Sequence, residues 1–165
     1  IEKFLNDFEY RFTDRMLDKF VALNQRTGLA LTLRDIVIMA SIVEKEKASA
    51  LEGYTIASVF YNRLIHKASF PFLNSDATIR YDVDYYSKGQ LITDAQINAS
   101  PYNTYTQTGL PAGPIANPGL SSLDAALDPE STAYYYFVFD KEAGVHRFSR
   151  TLAEHNAWAQ KLGLG

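Results

Sequence analysis

The chain has 165 residues, is 47% apolar and carries a formal net charge of −3. That size suits one compact domain with a real core, which excludes disorder as a global description. No run of Lys or Arg supplies the basic footprint that nucleic acid or an anionic membrane surface demands, and the lack of cysteine excludes disulfides, thiolate nucleophiles and cysteine zinc sites.

From Ile1 to about Gly28 the residues Leu5, Phe8, Phe12, Met16, Phe20 and Leu23 recur at helical spacing, predicting an amphipathic helix that Gly28 ends. Residues 1–30 therefore read as a helical appendage, and residues 31–165 as the main domain. A second helix is expected from Thr32 to Lys47, with Thr32 and Asp35 at capping-box spacing and an all-round apolar run from Ile36 to Val43. It ends in Glu44-Lys45-Glu46-Lys47. A third helix is expected from Tyr54 to His66. From Ala68 to Pro118 the prolines and glycines predict a long loop region, broken by a short helix at Thr93 to Ala99. A loop region this long inside a compact domain is expected to wall a cleft. A short helix at Ser121 to Leu127, strands at Tyr134 to Phe139 and Val145 to Ser149, and a Thr151-capped final helix complete the pattern. The class is α+β: helices packed with a small antiparallel sheet and a cleft-forming loop region. No stretch reaches the roughly 18 apolar residues of a membrane span.

Glu44 is the leading candidate for chemistry. Val37, Ala40, Ser41 and Glu44 share one helical stripe, so small side chains leave room beside the carboxylate. Glu46 lies about 200° around the helix, so the two carboxylates do not serve one cleft as a pair. Burial at the end of an apolar helix is expected to raise the pKa of Glu44, as a general acid requires. The competing reading is an ion-pair cluster with Lys45 and Lys47. Glycosidases usually employ two carboxylates, and Asp76, beside Ser75, is the best second candidate; its competing reading is an ordinary turn or N-cap aspartate. His146, Glu154 and His155 match no standard metal-ligand spacing, and neither a Gly-x-Ser-x-Gly elbow nor a phosphate loop occurs. No metal or cofactor is expected. Eleven Tyr and ten Phe residues supply core packing and, where exposed, stacking faces for sugar rings.

Six ordered blocks carry a family resemblance. They are Ala40-Ser41-Ile42-Val43-Glu44-Lys45-Glu46, Val59 to Leu64, Asn74-Ser75-Asp76-Ala77-Thr78, Ser100-Pro101-Tyr102-Asn103-Thr104-Tyr105, Gly109 to Gly119, and a closing set from Tyr136 through His146-Arg147-Phe148-Ser149 to Glu154-His155-Asn156. Together they resemble the YceG-like endolytic murein transglycosylases. Ala77 stands where that family usually has Pro, and Val145 where it usually has Gly. The resemblance implies lytic cleavage of the β-1,4 bond between N-acetylmuramic acid and N-acetylglucosamine inside a peptidoglycan strand. Glu44 would protonate the leaving oxygen and then, as carboxylate, take the proton of the muramoyl C6 hydroxyl as it closes a 1,6-anhydro ring. One acid/base then suffices, because the nucleophile belongs to the substrate. Ser75, Asp76, Tyr102, Asn103, Tyr105 and Asn117 are the expected substrate-binding residues.

Partners implied by the resemblance are peptidoglycan glycan strands and proteins of cell-wall synthesis, with no nucleic acid. Full-length members look like single-span membrane proteins, so this chain is expected to be a trimmed part whose anchor and small LysM-like subdomain lie upstream. The location implied is the extracytoplasmic side of the bacterial cytoplasmic membrane. Three rivals stay open at this point: a non-catalytic peptidoglycan-binding module, a hydrolase of the same polymer, and an interaction scaffold built on the N-terminal helix.

Overall fold

The computed structural model describes residues 13–86 and 93–164. Helix α1 spans Asp14–Thr27, α2 Leu33–Glu46, α3 Ala50–Ile65, α4 Asp76–Tyr81, α5 Asp94–Ala99, α6 Leu120–Leu127 and α7 Leu152–Lys161; a π-helical turn, Asp82–Tyr86, follows α4. Strands β1, Tyr136–Asp140, and β2, Val145–Ser149, pair antiparallel with Tyr136 opposite Ser149 and Phe139 opposite His146. This is the α+β architecture the patterning called for.

The centre is α2. Thr32 and Asp35 form the expected capping box, with Asp35 accepting from the Thr32 amide at 2.8 Å and Thr32 Oγ1 accepting from the Asp35 amide at 3.2 Å. Ile36, Met39, Ala40, Ile42 and Val43 are all fully buried, as an all-round apolar helix must be. The α3 residues Ile56, Ala57 and Phe60 and the α6 residues Ala125, Ala126 and Leu127 close over it. Gly53 permits the close approach, since a Cβ there would stand 3.3 Å from Val43 and 3.4 Å from Ala125. Helix α3 begins four residues earlier than Tyr54. Ser49 caps it, its Oγ accepting from the Glu52 amide at 3.3 Å, so the helix starts at a polar cap ahead of its first apolar stripe.

Helix α1 ends at Gly28 in the left-handed conformation, φ 67°, which glycine adopts without a Cβ penalty. Its Met16 and Leu23 join the common core. Lys19 bonds Asp124 of α6 at 2.6 Å. Leu5, Phe8 and Phe12 lie outside the described residues. The loop region holds more helix than its composition predicts, because α4 forms between Ser75 and Asp82. No helix among the described residues is long and apolar enough to cross a membrane.

The hairpin is tied back onto α3. The Asn62 amide donates to the carbonyls of Thr132 and Tyr134, and Phe137 meets Phe60 edge-on at 5.7 Å. Glu52 accepts from the His146 amide at 2.8 Å and lies 2.9 Å from its ring Nδ1. This seats β1 and β2 beside the C-terminal end of α2, where the two candidate carboxylates lie.

Candidate active site

The last turn of α2 sends Glu44 and Glu46 to different surroundings, as their angular separation requires. Glu44 Oε2 accepts from the Gly119 amide at 3.0 Å, from Ser122 Oγ at 2.6 Å and from Lys47 Nζ at 3.1 Å. Lys47 also donates to Ser121 and Ser122. The carboxylate thus caps the N-terminus of α6, where the exposed amides favour an anion. The Ser122 hydroxyl, aided by Gly119 and Lys47, holds its pKa below the ordinary value despite the opposing effect of burial. This corrects the expected protonated Glu44: three donors to the charged form outweigh desolvation. The stripe beside it leaves no room either. Ala40 and Ser41 are fully buried, and Ser41 Oγ accepts from the Ile115 amide at 2.9 Å.

Glu46 is the reverse case. Burial pushes its pKa above the ordinary glutamate value, and the nearby Asp76 charge adds to the shift. Ser75 Oγ donates to its Oε1 at 2.5 Å and, with the Ala77 amide, opposes that rise without cancelling it. Glu46 and Asp76 line a groove of about 480 Å³ whose other walls include Arg63, Tyr105, Tyr136 and His155. The same two residues line a second groove of about 350 Å³ on the side of Lys45, Arg80 and Tyr81. A further hollow of about 410 Å³ shares Lys45, Tyr81 and Ile115 with that groove and adds Glu44 and Asn117. The depressions are linked by shared walls: Glu46 and Asp76 belong to the first two, and Lys45, Tyr81 and Ile115 to the second and third.

The expected binding residues divide. Asp76 begins α4, exposed, and accepts from the Tyr105 hydroxyl at 2.6 Å; both border the larger groove. Asn117 is exposed on the outer hollow. Ser75 is buried and reaches Glu46. Tyr102 is half-buried against the core, its ring 5.0 Å from that of Tyr81. Asn103 is a second correction. It is only 3% exposed, its Nδ2 donates to the Ile97 carbonyl at 3.0 Å, and its Oδ1 accepts from the Tyr105 amide at 2.9 Å. A buried amide satisfied in this way braces the loop and has no surface to offer a sugar.

Sequence reasoning missed Arg63 and underrated His155. Arg63 stands three residues after Phe60 and four after Val59, so it lies on the inward side of α3, a signal that was legible. Its guanidinium carbon lies 5.5 Å from the Phe70 ring centre and 5.3 Å from that of Tyr136, while Nη1 donates to the Leu73 carbonyl at 3.1 Å. His155 stacks on Tyr136 at 5.4 Å, and burial, with the Arg63 charge, lowers its pKa. Among the described residues no cluster of three or more His, Asp or Glu side chains could hold a metal ion.

Fold and site together define an α+β domain with a buried carboxyl of raised pKa at a helix end, lining two aromatic-edged grooves. The chain belongs to the YceG-like family, whose model matches residues 2–161. It is 44% identical over 131 residues to a Bacillus subtilis (strain 168) protein named endolytic murein transglycosylase, covering 79% of this chain and 35% of that protein. A Streptococcus pneumoniae (strain R6) protein of the same name is 32% identical over 146 residues, covering 85% of this chain and 26% of its own. The crystal structure of a YceG-like protein from Listeria monocytogenes superposes with a TM-score of 0.66 at 37% identity, covering 87% of this chain and 43% of that one. The chain thus spans about a third or less of the length of these curated relatives.

Proposed function

We propose that this chain is the catalytic part of an endolytic peptidoglycan lytic transglycosylase, with Glu46 rather than Glu44 as acid/base. The observation that carries the choice is the position of Glu46, which lines two grooves and whose pKa burial pushes above the ordinary glutamate value. An enzyme that cuts inside a strand needs sugar on either side of its acid, and this arrangement supplies it. Family membership and relatives bearing the endolytic murein transglycosylase name support the reaction class.

In this reading Glu46 gives its proton to the glycosidic oxygen as the bond from muramoyl C1 breaks. The resulting carboxylate then accepts the proton of the C6 hydroxyl, whose oxygen bonds to C1 to close the 1,6-anhydro ring. The proton count closes without water, and Glu46 ends as it began. Asp76, held by the Tyr105 hydroxyl, stands in the same groove wall as the acid, beside the developing oxocarbenium ion. Ser75 orients the acid. The exposed Tyr105 offers a ring face to the sugars, and Asn117 borders the neighbouring hollow, where it can meet a longer strand. Tyr102 supports the wall from behind. Glu44 is a brace for the turn that carries Glu46. Residues 1–30 serve as an appendage to the catalytic part, and the full protein is held at the membrane by one span. The chain acts on the extracytoplasmic face, on glycan strands and beside cell-wall synthesis proteins.

The test is to incubate the chain, Glu46→Gln and Glu44→Gln with purified glycan strands and identify products by mass spectrometry. Anhydro-muramoyl ends should form with the unaltered chain, fall at least 100-fold with Glu46→Gln, and persist at reduced level with Glu44→Gln. Loss confined to Glu44→Gln would return the acid to Glu44. Reducing ends would make the protein a hydrolase. Binding without products would make it a peptidoglycan-binding module.

A further inference from the structure

The larger groove holds a guanidinium that forms no ion pair among the described residues. Arg63 is half-buried, and no carboxylate of the described residues pairs with it: the ion pairs there join Lys19 to Asp124 and Asp128, Lys47 to Glu44, His146 to Glu52 and Arg147 to Asp140. Its position is fixed by the Leu73 carbonyl and by the faces of Phe70 and Tyr136. Its Nε has no hydrogen-bond partner, and neither does His155 Nδ1 in the same wall. A desolvated cation of this kind is costly unless an anion completes it. Arg, with its rigid fork of donors, suits a carboxylate better than any other side chain. Asp76 belongs to the walls of both grooves, but in the larger one its Oδ1 accepts from the Tyr105 hydroxyl and it forms no ion pair with Arg63.

A glycan strand bears carboxylates only on its muramoyl residues, either as the 3-O-lactyl acid of a bare strand or on the peptide attached there. Resting on the reaction assigned above, we propose that Arg63 is the receptor for a carboxylate carried by the muramoyl residue. It thereby seats that residue in the aromatic groove and sets the direction in which the strand crosses Glu46. N-acetylglucosamine, which lacks the substituent, is left for the side of Lys45 and Arg80.

The experiment measures binding by calorimetry in the Glu46→Gln background, which keeps the strand intact. The ligands are bare glycan strands, the same strands with carboxyls converted to methylamides, peptide-bearing strands in both forms, and chito-oligosaccharides of equal length. Acid forms should bind about tenfold or more tightly than amides, as a charge-assisted contact provides, and the ratio should shrink with added salt. Adding Arg63→Gln should bring the ratio to one while chito-oligosaccharide affinity stays within about twofold; Arg63→Lys should retain part of the ratio. A ratio on bare strands identifies the lactyl acid, and one confined to peptide-bearing strands identifies a peptide carboxylate. Equal binding of acid and amide by the intact groove overturns the proposal. So does an Arg63→Gln protein that loses neutral and acidic ligands in the same proportion, or one that keeps the ratio. Should Arg63→Gln not fold, the acid-to-amide ratio of the intact groove and its change in Arg63→Lys decide alone. Anhydro ends are scored separately on the unaltered chain. Their absence removes the reaction while a carboxylate preference stands; their presence without a preference removes only the subsite.

Discussion

Glu44 and Glu46 are two residues apart, yet their environments drive protonation in opposite directions, and pH should separate them. Glu46 has a folded pKa raised above the ordinary 4.5, so the folded state holds its proton longer than the unfolded chain does. Stability is therefore lost as pH rises from about that ordinary value through the folded one. Glu46→Gln, which cannot ionise, should melt higher than the unaltered chain at neutral pH, with the gap closing in acid. Glu44 has a folded pKa below 4.5; its contribution is present above that value and is lost as pH falls through the folded one. Glu44→Gln should melt roughly 3–8 °C lower at neutral pH, with this gap closing in acid too. Melting curves of the two variants from neutral to acid pH check both signs. Catalysis adds a third expectation. If Glu46 is the general acid, the turnover rate should fall on the alkaline side through a pKa above that of an ordinary glutamate. A rate limb at the ordinary value would remove burial as the tuning device.

Helix and loop ends are the next scale. Helix α2 reaches the site with its last turn, so its start matters at a distance. Thr32→Ala, which removes the capping box, should destabilise the chain by about 1 kcal/mol, read as a shift in urea midpoint with unchanged slope. Asn103 matters more. Its amide joins the end of α5 to Tyr105 and so places the residue that holds Asp76. Asn103→Ala should lower the melting temperature by roughly 3–10 °C. Activity should recover when it is assayed at low temperature, as loss of a brace requires; a variant with unchanged melting but lost activity would make Asn103 a substrate contact after all. Asn74 contributes to the same corner by accepting a left-handed φ of 55° next to Ser75, a conformation asparagine tolerates better than most residues. The amide of Asn74 donates to the Thr104 carbonyl at 3.0 Å.

Across the whole molecule, long-range polar ties hold the walls of the groove to the helical core. Glu52 and His146 are 94 positions apart and clamp the hairpin to the start of α3, while Asn62 holds the approach to β1. The groove between α2 and the hairpin exists only while those ties stand. Glu52→Ala leaves the buried His146 ring and amide unpartnered and should cost about 1–3 kcal/mol. Hydrogen exchange should then speed up in β1 and β2 before it does in α2, and KM for strands should rise more than kcat falls. Uniform acceleration throughout the chain would mean that the hairpin has no independent opening.

Much of this was legible in order of residues. The apolar run of α2, the capping residues Thr32 and Thr151, the glycine stop at position 28 and the two strands follow from local periodicity and end chemistry, which depend on neighbours a few residues away. The six blocks marked the family in the same way. The angular separation of Glu44 and Glu46 was also calculable from helix geometry. Which of the two has its pKa raised was not, because it depends on what packs against each side: Gly119 and Ser122 arrive from 75 and 78 positions away, and Ser75 from 29. Protonation follows donors and burial, and those are assembled only when α6 and α4 fold against the end of α2. The same holds for Asn103, whose polar side chain suggests a sugar contact until the loop encloses it. Arg63 sits on an inward stripe that the sequence displays, but only the tertiary structure brings it to the wall of an aromatic groove with no ion-pair partner among the described residues.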